Sequence, residues 1–147
     1  MMCKVLIFGC ISVAMLMTTA YGASLSSEKL QILPTLIKDL EILDKIKNMI
    51  SRDLYTPNKT QECSQQTLQC YLKEMVTLEK EIEDNSKIEQ EVPNALKNIK
   101  KNLQRLTDQI PIEGECNIRC EDNKEKNVPE FLQELTDFLR FMQKISN

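Results

Sequence analysis

Four cysteines carry the chemistry that is most legible in this chain. Cys63 and Cys70 sit seven residues apart in ECSQQTLQCYLKE, and Cys116 and Cys120 four apart in ECNIRCEDNKEKN. Zinc sites favour tighter C-x-x-C spacing, often completed by histidine, and the chain contains no histidine. A redox-active C-x-x-C is also missing. No G-x-S-x-G nucleophile motif or metal signature occurs, and nothing singles out a catalytic carboxylate pair. The sequence therefore reads as a non-enzyme with no cofactor and no metal site. What remains for the cysteines is cross-linking. Residues seven apart lie on one side of a helix, and a helical wheel sets Cys63 and Cys70 nearly opposite Leu68, Leu72 and Met75. They should face a loop, and the segment around Cys116 and Cys120 is its natural source. Bridges within each pair would cross-link little, whereas bridges between pairs would each close a loop of about 50 residues, contributing on the order of 4 kcal/mol. Spacing does not choose among the three possible pairings.

The start of the chain sets the compartment. Lys4 is the only charge before an apolar run from Val5 to Met17, and small residues follow. That layout predicts a secretory signal over residues 1–22, cleaved best after Gly22, with Ala20 as the alternative, and a single domain over 23–147. The run is too short for a comfortable membrane span. Cys3 and Cys10 leave with the signal, so four of six cysteines remain, an even number in an oxidising compartment. Losing Lys4 lowers the basic count from 19 to 18 against 22 acids, a net charge of −4. Nucleic acid and anionic membranes are poor partners for such a surface, and a secreted, extracellular protein with no membrane insertion is expected. Asn58-Lys59-Thr60 is a sequon in a polar segment, which makes Asn58 a candidate for glycosylation.

Leu, Ile, Lys, Glu and Gln dominate the rest, β-branched alternation is absent, and apolar residues recur at helical spacing. Four amphipathic helices are predicted. The first runs from about Pro34, taken as its start, to Ile50, with Leu33, Leu36, Leu40, Leu43 and Ile50 inward and Ile37, Ile42, Ile46 and Met49 widening the stripe. The second, about 64–83, turns Leu68, Leu72, Met75, Val76, Leu78 and Ile82 one way. The third, about 93–107, carries Val92, Leu96, Ile99, Leu103, Leu106 and Ile110. The fourth, about 128–145, begins after Asn127 as N-cap and turns Phe131, Leu132, Leu135, Phe138, Leu139, Met142 and Ile145 inward. The connections, 51–63, 84–92 and 108–126, are long, short and long. Long first and third links suit an up-up-down-down bundle, in which each must carry the chain back along the bundle. The expected fold class is an all-α four-helix bundle with two disulfides.

DLYTPNKTQECSQQTLQCYLKEM and GECNIRCEDNKEKNVPEFLQELTDFLRFM together resemble the interleukin-15 group, fish interleukin-15-like members included, of the interleukin-2 family. The likeness rests on Leu54-Tyr55-Thr56, the Cys63/Cys70 interval, Glu74 four residues on, and EKNVPEFLQ after the second cysteine pair. That pair is one residue wider than the group's C-x-x-C. Interleukin-21 shares the cysteine layout and is the neighbouring alternative. The resemblance implies pairings Cys63–Cys116 and Cys70–Cys120 and a short-chain four-helix cytokine without an active site. Its partners would be a private alpha chain with a small sushi domain, the shared interleukin-2/15 beta chain and the common gamma chain, which together trigger kinase signalling in lymphocytes. The chain itself would be a monomer or a heterodimer with the alpha chain.

Residue by residue, the resemblance implies alpha-chain contacts at Tyr55, Glu74, Glu81, Glu121, Asp122 and Glu125. The wheel puts Glu74, Thr77 and Glu81 on the face of Cys70, away from the core, where an acid row would steer a basic partner. Lys73 and Lys80 replace apolar positions of the group. Asp39, near the middle of the first helix's apolar arc, matches the beta-contacting aspartate, and a carboxylate there is costly to bury unpaired. Asn94 matches the beta-contacting asparagine, although Gln90 and Pro93 stand where the group has carboxylates. Arg140 occupies the place of the gamma-contacting glutamine, and Gln143, one turn on, is its candidate substitute. A helical carrier of lipid or another apolar ligand is the main reading from a different class, since an aliphatic core can open into a pocket.

Overall fold

The computed structural model describes residues 27–57, 63–111, 116 and 119–146. The expected signal segment and Asn58 lie outside the described residues. Among the described residues there are four α-helices: α1 (Ser27–Leu43), α2 (Ser64–Glu83), α3 (Glu91–Gln109) and α4 (Val128–Ser146). A 3₁₀ turn, Asp44–Ile46, extends α1. Two three-residue strands, β1 (Leu54–Thr56) and β2 (Lys124–Lys126), pair antiparallel with Tyr55 opposite Glu125.

Each helix buries the stripe that its spacing defines. Leu33, Leu36, Leu43, Leu68, Met75, Leu78, Leu96, Ile99, Leu103, Leu106, Phe131, Leu135 and Leu139 are fully enclosed in one continuous core. Asn127 caps α4, its side-chain oxygen accepting the Glu130 amide at 2.9 Å, which satisfies one of the donors a helix start leaves open. The cap explains why the chain turns helical at Val128.

Contacts between helix ends set the topology. Lys45, just past α1, pairs with Glu91 at the start of α3 (3.2 Å), so those two helices run oppositely. Gln65, at the start of α2, donates to the carbonyl of Ile110 just past α3 (3.1 Å), and Glu79 pairs with Lys100 at 2.6 Å, so α2 and α3 also run oppositely. Both α1 and α2 therefore point one way. Helix α4 sets out from β2 and packs on α1, while its Phe131 and Phe138 meet Tyr71 of α2 at ring-centroid separations of 5.4 and 6.2 Å. The bundle is up-up-down-down, and its long first and third connections are the crossovers this order requires.

The described residues of both crossovers are fastened along the outer side of α2. Descending, the first crossover meets α2 through Arg52 and Glu81 (3.0 Å), then the Tyr55 amide and Glu74 (3.2 Å), then the Pro57 carbonyl and the Tyr71 hydroxyl (3.4 Å). The second climbs the same helix. Its fastenings are the disulfide Cys63–Cys116, a hydrogen bond from the Gln66 amide to the Cys116 carbonyl, the disulfide Cys70–Cys120, and Lys73 with Glu121 (2.8 Å). Cα separations of 5.7 and 5.1 Å suit both bridges. The two crossovers then join through β1 and β2.

Several sequence expectations need correction. Helix α1 begins seven residues before Pro34, so the proline lies inside it. The proline is exposed and removes one i→i−4 hydrogen bond from the helix interior. Met49, Val76 and Ile145 were expected inward but are 43, 41 and 60% exposed. Met49 lies past the end of α1, and Ile145 is in the last turn of α4, where neighbouring helices no longer cover it. Val76 looks into an open groove of about 570 Å³ between α2 and α3, beside Leu72 and the lysines 97, 100 and 101. Tyr71, outside the expected stripe, is among the largest fully buried side chains. Its ring fills the α2–α4 interface while its hydroxyl reaches the first crossover, and burial raises its pKa, with Glu134 and Asp137 adding to the shift.

If the Cys70–Cys120 bond fixes the second crossover on α2, replacing both cysteines by serine should lower unfolding free energy by about 2–4 kcal/mol. Urea denaturation checks this, and an unchanged midpoint would mean that the crossover is held without the bond.

Candidate functional site

The six residues proposed above for an alpha-chain contact come from three separate segments, and the fold gathers all three on the outer side of α2. Tyr55 is on β1 and Glu125 opposite it on β2, Glu74 and Glu81 are on α2, and Glu121 and Asp122 lie in a 3₁₀ turn, Cys120–Asp122, that leads into β2. Their surroundings differ.

Glu74 was expected on an outer, solvated face. It is only 6% exposed, because the crossovers lie over the side of α2 that the helical wheel leaves free. One carboxylate oxygen accepts the amide of Tyr55. In an antiparallel pair the backbone groups of alternate residues point away from the partner strand. Tyr55 is such a residue, and Glu74 supplies the acceptor that a third strand would otherwise provide. Desolvation raises the Glu74 pKa above its ordinary range and nearby Glu125 adds to this; the Tyr55 amide, Lys73 and Arg52 oppose it.

Glu81 is held by Arg52 at 3.0 Å, and Glu121 by Lys73 at 2.8 Å. The hydrogen bond and charge of Glu121 raise the Lys73 pKa, and those of Lys73 lower that of Glu121. Asp122 folds back to accept the Arg119 amide at 3.2 Å. Glu125 is exposed and makes no ion pair among the described residues. Lys126, its neighbour, pairs with Glu134 at 3.7 Å and ties β2 to α4. Arg52 and the strand pairing escaped the sequence reading. Three-residue strands are too short to show a period, and the only sequence trace of the pairing was the triplet Leu54-Tyr55-Thr56.

The other candidates lie elsewhere. Asp39 is half-buried on α1, and burial raises its pKa despite the opposing charge of Lys38. Asn94 is exposed on α3 and accepts a hydrogen bond from the Gln90 side chain at 3.3 Å. Arg140 is exposed and Gln143 half-buried on α4. Among the described residues, no cluster of three or more histidine, cysteine or acidic side chains is arranged to hold a metal ion. No helix described is long and apolar enough to cross a membrane.

The role of Glu74 can be separated by substitution. Glu74→Gln keeps an acceptor for the Tyr55 amide, whereas Glu74→Ala leaves it unpaired at a cost of about 1–3 kcal/mol. The raised pKa gives a second signature. A carboxyl whose folded pKa lies above its unfolded value favours folding most at low pH, and that contribution is lost as pH rises through the folded pKa. Urea unfolding of wild type and Glu74→Gln should therefore show the glutamine variant gaining on wild type between pH 4 and pH 7. A constant difference would mean that Glu74 is freely solvated.

The sequence profile of a family described as Interleukin 15 matches residues 5–143. Comparison with curated proteins finds no match. The profile match spans α1 to α3, both crossovers, both cysteine pairs and most of α4. On that match and this architecture, the chain belongs to the interleukin 15 family and is a helical cytokine of the interleukin-2/15 type.

Proposed function

We propose that the chain is a secreted signalling ligand that binds a sushi-type alpha receptor chain and brings the shared beta chain and the common gamma chain together, so that receptor-bound kinases activate STAT factors in lymphocytes. The observation that carries this reading is the convergence of Tyr55, Glu74, Glu81, Glu121, Asp122 and Glu125 on one face, built from two crossovers fixed to α2. A cytokine of this type needs separate rigid faces rather than a pocket, and a cross-linked bundle supports them. In this reading the beta chain meets α1 and α3 around Asp39 and Asn94. The gamma chain meets α4 around Arg140 and Gln143. Residues 1–22 direct export, and Asn58, in the first crossover, carries glycan.

Stimulation of lymphocytes from the same species is the test. Purified 23–147, with both disulfides formed, should raise STAT5 phosphorylation at low concentration, and added alpha-type ectodomain should strengthen the response. Silence with and without the ectodomain would overturn the proposal.

A further inference from the structure

The alpha-type face is less acidic to an approaching partner than its sequence suggests. Three charged groups surround the buried Glu74 closely enough to act on it: Arg52, Lys73 and Glu125. In each of the three ion pairs described on this face, Arg119–Asp122 included, the cation is the more exposed member. Arg52 is 53% exposed against 36% for Glu81, and Lys73 63% against 41% for Glu121. Glu74 is enclosed, and Asp122 is engaged with the backbone and side chain of Arg119. Of the five acids proposed as alpha-chain contacts, Glu125 alone among the described residues is both exposed and unengaged, and Asp53, beside Arg52, is exposed as well. The exposed charges of the face are thus of both signs, with Arg52, Lys73, Arg119 and Lys124 standing among Asp53, Asp122 and Glu125.

We propose that Arg52 and Lys73 are specificity-determining contact residues, and that this face fits a partner surface of mixed sign, with carboxylates placed to meet Arg52 and Lys73, rather than a uniformly basic one. The inference rests on the alpha-chain reading above and deepens it. Complementarity of sign governs encounter rate and discriminates between partners more than it sets the final affinity. A uniformly basic surface would meet Arg52 and Lys73 head-on and would have to displace them to reach Glu81 and Glu121. A mixed surface leaves both internal pairs intact and adds to them. The two cations come from different segments, the first crossover and α2, and their pairing with Glu81 and Glu121 holds them at fixed positions.

The test is binding of the disulfide-bonded chain to the alpha-type sushi ectodomain of the same species, by surface plasmon resonance at low and physiological salt. Lys73→Glu and Arg52→Glu should each weaken binding about fivefold or more, mainly by slowing association. Melting temperatures should stay close to wild type, since both side chains are largely exposed. Tighter binding by either variant would mean that the partner is basic and would overturn the inference while leaving the alpha-chain reading intact. Unchanged affinity would show that the cations lie outside the contact, with the same consequence. Absence of binding by the wild-type chain would overturn both.

Discussion

Two parallel helices in succession oblige the chain to travel the length of the bundle twice outside any helix. Everything distinctive in this structure answers that constraint. A crossover has few side chains in the core, and its backbone groups need partners wherever they are covered. Here α2 serves both crossovers as a spine, offering cysteines, a glutamine, a glutamate and a tyrosine hydroxyl along one side while its other side packs the core. The disulfides act mainly by shortening the free lengths available to the unfolded chain. Polar fastenings do the finer work. Glu74 is the clearest example, since a buried carboxylate is costly and this one is retained where it completes the hydrogen bonding of a strand.

The same constraint produces the candidate contact face. Residues distant in sequence, around 52–56, 73–81 and 121–126, come together because two crossovers lie on one helix and pair with each other. The cross-links therefore stabilise the fold and hold the candidate contact face in register at once. Tyr71 links the two layers, with its ring among the aromatic residues of α4 and its hydroxyl on the first crossover. The other proposed faces, on α1, α3 and α4, use ordinary outward sides of core-packed helices.

The helices were legible because each has a long, regular apolar stripe. Boundaries for α2 and α4 followed closely, the latter through the Asn127 cap. The bundle order was legible from connection lengths. What the sequence hid depends on the second layer. A helical wheel has one core and one solvent side, so it assigned Glu74 to solvent; the cysteines announced a loop from the second crossover on that side, but nothing in the spacing showed that the first crossover would lie there too and reach the carboxylate. The wheel also left Tyr71 out of the stripe, because that residue lies at the boundary where core and crossover meet. The interior position of Pro34 escaped for a different reason: proline suits a helix start and costs a hydrogen bond further in, so the spacing argued for a start at that residue. Arg52 carried no signal, because an ion pair 29 residues apart in sequence exists only once the crossover is in place.

Hydrogen exchange on the disulfide-bonded chain, free and bound to the alpha-type ectodomain, tests the central claim that the crossovers and α2 form one contact face. The account predicts that binding slows exchange together in 52–56, 73–81 and 121–126, with α1 and α3 unchanged. Protection confined to one of those segments, or centred on α1 and α3, would contradict it.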